Sequence, residues 1–340
     1  IYTDFPATSH TQNRCHTYKK RTLRKIYFLI LMSLILLNCK ERTELNTDLK
    51  PTYSDFQNDW QVRNIFGKIK QIEFYKATYQ DNEKEPEPIL VFVEKFTKFG
   101  SLQDKSNYDS FGNLFQKDVY EFDKELLIEN ISSDKFGNEN YTLIIETDTI
   151  KNFTKNKWYK NDSLVTTMEL YYNSKDLLEK KIVYEHNDTT ITLNKYKFDE
   201  SGNVIMETEI SEKSNDTIQQ NEYSYNEDGN LTKSINKMGW MTLVTDTKWE
   251  NDRINEQKKY TISTDLQKHL NEVIEYDKLF NPVNSKIYKK SKLKRELKYD
   301  YEFDQKGNWI KKTVSMKEHF ENSNKFIPIY IESRKIKYWN

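Results

Sequence analysis

Cysteine is almost missing: the 340 residues hold two, Cys15 and Cys39. Both lie in the first 39 positions, so the rest of the chain can form no disulfide and has no thiol nucleophile. Some 300 residues bury enough surface to fold without such staples. Glycine (8) and proline (6) are also scarce, which excludes collagen-like and low-complexity linker classes. There are five histidines, and only His186, His269 and His319 follow Cys39. No His-Glu-x-x-His, Gly-x-Ser-x-Gly or phosphate-loop pattern occurs. The sequence therefore points to no metal, no cofactor and no catalytic centre. Charge of one sign is lacking too, with 53 basic and 53 acidic residues, and that balance argues against nucleic acid as a partner. What the chain has in quantity is rings: 23 Tyr and 18 Phe. Disordered chains are poor in aromatics, so this is a folded protein whose core is built on large side chains.

The one long apolar run is Ile26 to Leu37, twelve uncharged residues behind Lys19, Lys20, Arg21, Arg24 and Lys25. Spanning a bilayer takes about 20 residues; a basic flank and a 7–15-residue apolar run is the pattern of a secretory signal. Leu36-Leu37-Asn38-Cys39 resembles the lipobox of bacterial lipoproteins, which implies that Cys39 is diacylated and becomes the mature N-terminus. Asn38 departs from the Gly, Ala or Ser usual there. Two acyl chains hold a protein on a membrane where one does not. The chain opens on Ile1, and Leu23 would make a compact start to the signal, so residues 1–22 are expected to be absent from the precursor. Residues 1–38 are thus expected to be an upstream segment plus signal peptide, and 39–66 a polar tether. Lys40-Glu41 with Glu44 resembles the charged export signal of some Bacteroidetes surface lipoproteins. The expected location is the outer membrane or cell surface.

From about Gly67 to Asn340 the chain repeats itself. Five glycines are followed by asparagine: Gly112-Asn113, Gly137-Asn138, Gly202-Asn203, Gly229-Asn230 and Gly307-Asn308. Four of these follow an aromatic and then Asp or Asn, as in Tyr108-Asp109, Phe198-Asp199, Tyr225-Asn226 and Phe303-Asp304. The fifth keeps Asp134, and Tyr276-Asp277…Phe280-Asn281 has Phe in the glycine slot. The period is about 26 residues. Asp or Asn bonds the backbone two residues on and starts a turn, and Gly takes the positive φ that closes a type I turn with a G1 bulge. The flanks alternate: Lys298-Tyr299-Asp300-Tyr301-Glu302-Phe303 puts rings on one face and charges on the other. The expectation is an all-β domain over 67–340. It is a long antiparallel meander of hairpin repeats, roughly 16 strands, strongly twisted or curled. Ser54 to Phe66 is the one stretch with room for a turn of helix.

These turns, and above all Tyr299-Asp300-Tyr301-Glu302-Phe303-Asp304-Gln305-Lys306-Gly307-Asn308-Trp309, resemble the YD/RHS repeat and its Bacteroidetes lipoprotein relatives. The resemblance implies the repeat fold. It does not imply the toxin cargo of large RHS shells, since the chain is short and no toxin domain follows Asn340.

Candidate sites are few. Acidic turns offer calcium one sure carboxylate each, against the six to eight oxygens it needs. Glu207 and Glu209 share a strand face, as alternation produces by default. Trp158, Trp240, Trp249, Trp309 and Trp339 lie in or beside repeat strands, where rings either fill the core or stack on a partner. The expectation is a non-catalytic, lipid-anchored envelope protein whose sheet binds a protein or a glycan. The alternatives are a glycan-active or other hydrolytic enzyme with an unrecognised site, and an RHS-like shell or chaperone for a secreted partner.

Overall fold

In a computed structural model, residues 65–79, 86–123, 126–186, 188–264, 266–319 and 325–340 are described. The signal, Cys39, most of the tether and the stretch 54–64 lie outside the described residues. Strands and their connections account for the described chain, and none of it is helical. The strands are β1 (Ile69–Thr78), β2 (Ile89–Phe96), β3 (Leu102–Tyr108), β4 (Leu114–Asp123), β5 (Leu126–Asp134), β6 (Glu139–Asp148) and β7 (Phe153–Lys160). Next come β8 (Ser163–Tyr172), β9 (Leu178–Glu185), β10 (Asp188–Phe198), β11 (Val204–Ser211), β12 (Thr217–Tyr225), β13 (Leu231–Met238) and β14 (Met241–Glu250). The last are β15 (Arg253–Ile262), β16 (Lys268–Tyr276), β17 (Pro282–Lys289), β18 (Lys292–Phe303), β19 (Trp309–Glu318) and β20 (Ile327–Tyr338).

Each strand pairs antiparallel with the next. β1 pairs with β2 on one side, Phe74 opposite Phe92, and with β20 on the other, Ile72 opposite Ile336. The meander is therefore a closed 20-stranded barrel, which corrects two expectations. The sheet is not an open twisted or curled one, because closure pairs the two edges that an open meander would leave exposed. There are twenty strands rather than about sixteen, because several hairpins close without the Gly-Asn signature. Asn161-Asp162, Asn251-Asp252 and Lys290-Ser291 have positive φ at both central residues, the type I′ geometry that suits a two-residue hairpin.

The longer turns share one construction. The Asp109 N–H donates to the Asn113 carbonyl at 2.9 Å and the Gly112 N–H to the Asp109 carbonyl at 3.0 Å. The same pair of bonds recurs in the loops opening at Thr97, Asp134, Asn173, Asp199, Asn226, Ser263, Asp277 and Asp304. The Asp109 carboxylate also accepts the N–H groups of Phe111 and Asn113, both at 2.9 Å. Those bonds, with that from Asn113 largest, hold its pKa below the usual carboxylate range. The fourth position always has positive φ: +79° at Gly112, +78° at Gly229, but also 56° at Asp176, 61° at Leu266 and 62° at Phe280.

A ring among the last three residues of a strand has a structural task as well. Tyr196, Tyr225, Trp249 and Tyr301 each donate from the ring's polar atom to a backbone carbonyl opening the preceding strand. The acceptors are Leu178, Val204, Leu231 and Pro282, at 2.7 to 2.9 Å. Each bond thereby ties the two strands of one hairpin together at its open end.

With an even number of strands, β1 begins and β20 ends at the same rim, here the near rim. There the chain closes on itself. The Trp339 N–H donates to the Lys68 carbonyl at 2.8 Å. The Asn308 side chain, 2% exposed, pairs with Phe66 as a peptide would: Oδ1 accepts the Phe66 N–H and Nδ2 donates to the Phe66 carbonyl, both at 2.7 Å. Nδ2 also reaches the Tyr338 hydroxyl at 2.8 Å. The main apolar cluster, Ile65, Ile69, Ile72, Phe96 and Leu102, surrounds this seam.

Candidate functional site: the barrel lumen

The two faces of the barrel wall differ in how side chains meet across strands. Backbones two strands apart are about 9.6 Å from each other. Some side chains nevertheless meet across the strand between them. The Phe74 and Trp309 rings, on either side of β20, have centroids 6.3 Å apart. Lys181 reaches over β10 to Glu209 at 2.7 Å. Ion pairs bridge a strand on the other face as well, Lys180 to Glu212 and Lys268 to Asp246, so it is the convergence of rings that marks the concave face, and the residues sharing the face of Phe74 and Trp309 line the lumen. Sustained contacts run only between hydrogen-bonded neighbours. Just thirteen apolar side chains are buried among the described residues. The wall is thus a single layer around open space rather than two sheets packed on a core.

One sector of the lumen is rich in rings. Phe92 stacks on Phe74, centroids 4.7 Å and planes 3° apart. Arg334, opposite Phe74 in register, lays its guanidinium over Trp309 at 3.5 Å. Trp309 in turn meets Tyr301 at 6.3 Å. The row crosses five adjoining strands, β2, β1, β20, β19 and β18. Deeper in the same sector Val314 is fully buried between its register neighbours Tyr299 and Tyr330. Burial, with a smaller push from Glu272 and Glu332 respectively, raises the hydroxyls of Tyr276 and Tyr330 to about 12. Burial likewise raises Tyr299 and Tyr301. Charges stand among the rings: Lys312 pairs with Glu332, and Lys105 with the buried Glu94 at 3.4 Å. The opposite sector is polar. Glu207 accepts from Tyr196 at 3.2 Å, Asn221 at 3.1 Å and Tyr223 at 3.4 Å.

The residues singled out in the sequence are dispersed. Asp109, Gly112, Asn113, Gly137 and Asn138 sit in turns of the far rim. Asp199, Gly202, Asn203, Gly229, Asn230, Asp304, Gly307 and Asn308 sit in turns of the near rim, and of these only Asp304 and Asn308 join in the seam. Glu207 and Glu209 do point into the lumen, but each is held by the partners just named. His186 occupies the β9–β10 turn, with φ of 48°. His319 Nε2 lies 2.6 Å from Glu296 Oε1, a pairing that spacing did not reveal. Among the described residues no three His, Cys, Asp or Glu side chains group as metal ligands. Trp309 belongs to the lumen row, Trp339 packs at the seam, and Trp240 is 72% exposed on the far rim. The sequence reading missed Phe74, Phe92 and Arg334. Their strands alternate, but what makes them a site is the pairing of β1 with β20.

No described helix is long and apolar enough to cross a membrane. A barrel that spans one shows an outward apolar band. Here the outer face bears charge along the strands, as at Glu296, Lys298 and Asp300 of β18 and Lys335 and Lys337 of β20, while Glu332 and Arg334 face inward. Among the described residues neither face forms such a band.

The class defined by this fold is a hollow, closed antiparallel β-barrel with polar walls and a ring-lined sector. No protein-family model matches the chain, and no curated protein matches it. Among solved structures, a porin-like protein from Bacteroides uniformis shares 10% identity and a TM-score of 0.35, over 79% of this chain and 96% of that one. A porin-like protein from Bacteroides vulgatus shares 9% and a TM-score of 0.21, over 79% and 98%. The TcdB2-TccC3 structure shares 11% and a TM-score of 0.23, over 77% of this chain and 19% of that one. At such scores these likenesses decide neither fold nor function.

Proposed function

We propose that this protein is a non-catalytic binding barrel of the bacterial envelope, lipid-anchored through Cys39, whose lumen takes up a glycan chain. The carrying observation is the row Phe92, Phe74, Arg334, Trp309 and Tyr301 on the concave face. Rings half exposed to a wet lumen offer stacking surface to sugar faces. The adjoining Lys312–Glu332 and Lys105–Glu94 pairs offer hydrogen bonds to hydroxyls. Catalysis is set aside because the lumen carboxylates Glu94, Glu207, Glu209 and Glu332 are each held in an ion pair or hydrogen bond. The repeat turns support the relationship to YD/RHS-type lipoproteins proposed from the sequence. The test titrates the full chain carrying Cys39→Ser with a panel of bacterial oligosaccharides by calorimetry. Trp309→Ala should weaken the best ligand about tenfold, the scale of one lost stacking contact. If no glycan binds, or if Trp309→Ala binds equally well, the lumen reading fails. Turnover of any glycoside or ester in the panel would make the protein an enzyme instead.

A further inference from the structure

The two rims of the barrel are chemically unlike. Eighteen large apolar side chains are exposed among the described residues. Thirteen of them lie in the far-rim turns or within three residues of a strand's far end; the near rim and its strand ends have five. Scattered apolar exposure is ordinary on a protein surface, but a bias to one end of a ring is not explained by folding.

The shared turn construction shows why. Its third position gives the turn only its backbone N–H, which bonds the opening side chain; no turn bond needs its side chain. On the near rim that position is Lys175, Ser201, Asp228 or Lys306, with Phe99 and Leu279 as departures. On the far rim it is Phe111, 86% exposed, and Phe136, 77% exposed. In the β15–β16 turn the positive-φ position is Leu266 (φ 61°), 84% exposed, where six other copies have glycine. Leucine there is strained and packs on nothing. The β13–β14 turn presents Trp240, 72% exposed. The near rim has its own exposed tips in Phe99 and Ile150, but the excess at the far rim, one of its members at a strained φ, marks a surface kept for something other than stability.

What these tips fit follows from their spacing and from the charge between them. Successive far-rim turns are two strands, or about 9.6 Å, apart, with polar residues between. Single tips at that spacing make no continuous face for a folded partner, but each can enter a fluid interface separately, as Trp and Phe do at headgroup depth. Among the far-rim turns without an apolar tip, β17–β18 is basic, with Lys289, Lys290 and Lys292 together. Apolar insertion flanked by lysines is the chemistry of an anionic bilayer surface. Glu185, Asp188, Glu212 and Asp216 load the β9–β10 and β11–β12 turns with the opposite charge, so that arc stands off. The contact arc runs from β13 round to β6. Within it residues 80–85 of the β1–β2 connection and 320–324 of the β19–β20 connection lie outside the described ones.

We infer that the far rim docks on anionic membrane by inserting Trp240, Leu266, Phe111 and Phe136, with the β17–β18 lysines on the headgroups. The inference goes beyond the lumen reading and does not depend on what the lumen holds. The test uses the full chain carrying Cys39→Ser, so that no acyl group contributes, and vesicles of phosphatidylethanolamine with phosphatidylglycerol against phosphatidylcholine alone. Changing the four tips (F111S, F136S, W240S, L266G) should lower partition onto the anionic vesicles about tenfold or more. Lys289, Lys290 and Lys292 changed to Glu should lower the preference for the anionic vesicles relative to the parent. Brominated acyl chains should quench Trp240, read as the difference between the parent and Trp240→Phe. The Ile26–Leu37 run is common to all variants and cancels. A cooperative urea transition with a midpoint no lower than the parent's shows that the tip variant still folds. Equal partition of the tip variant, or no Trp240-dependent quenching, overturns the proposal. So does a lipid-free dimer that the tip changes dissociate, since the rims would then cover each other.

Discussion

Asn308→Ala tests whether the barrel is locked at its seam. Asn308 and Asn113 hold the same place in the repeat turn but have different work. The Asn113 side chain is exposed and bonds only its own turn, to Asp109 at 3.3 Å. Asn308 is buried, and makes three bonds of 2.7 to 2.8 Å to Phe66 and Tyr338. Truncation removes three bonds worth about 1 kcal/mol each. It also strands the Phe66 N–H and carbonyl; Phe66 is only half-buried, so water recovers part of that cost. The expected loss is about 3 kcal/mol for Asn308→Ala, against about 0.5 kcal/mol for Asn113→Ala. Because β1 and β20 open first at this rim, the loss falls on a local opening, best read by hydrogen exchange. Amides of residues 66–72 and 336–339 should lose about a hundredfold in protection, since about 1.4 kcal/mol is tenfold. The β10–β13 amides should barely change. Equal effects of the two substitutions, or protection lost evenly around the ring, would refute the seam.

The remaining predictions concern turns, pH and anchorage. Gly229→Val should cost about 1–2 kcal/mol in urea denaturation, wholly through the φ of +78°, because a Cβ there meets nothing within 4 Å. Gly229→Asn should cost under about 0.5 kcal/mol, as Asn tolerates that region. Leu266→Gly should stabilise by about 1 kcal/mol, since it relieves a φ of 61° and gives up no burial; a loss would mean that the exposed leucine packs in solution. Tyr276 and Tyr330 hold their protons more tightly folded, to about 12, than unfolded, near 10. Their contribution to stability is therefore complete below pH ~10 and is lost as pH rises towards ~12. Absorbance at the tyrosinate band should show a late-ionising group coincident with unfolding, and a single transition near pH 10 would contradict this. Cys39→Ser should move the protein from the membrane fraction or leave the signal uncleaved, and a fatty-acid analogue should label only the parent.

The turns were legible because their chemistry is local. One Asx side chain and one positive φ within five residues define the loop, so Asp109 to Asn113 and Asp304 to Asn308 could be read directly. The same logic placed Phe280 in a glycine slot, and it missed Leu266 and Asp176, where nothing in the residue type announces the conformation. Closure was not legible. It depends on the register of β1 against β20 and on an Asn308–Phe66 bond spanning 242 positions, neither of which has a local signature. The lumen site was half legible. Alternation put Tyr299, Tyr301 and Phe303 on one face, but only closure brings Phe74, Phe92 and Arg334 beside them.

Closure constrains how such a chain can grow. A ring of antiparallel neighbours closes only with an even strand count, because an odd one would bring the last strand parallel to the first. The unit of duplication or loss is therefore a whole hairpin, two strands at a time, and each step changes the circumference by about 9.6 Å. A single-strand insertion would break the seam, while an added hairpin between, say, β12 and β13 leaves every register elsewhere intact. The bore of the barrel is thus set by counting repeats, and relatives of this chain should come in discrete calibres.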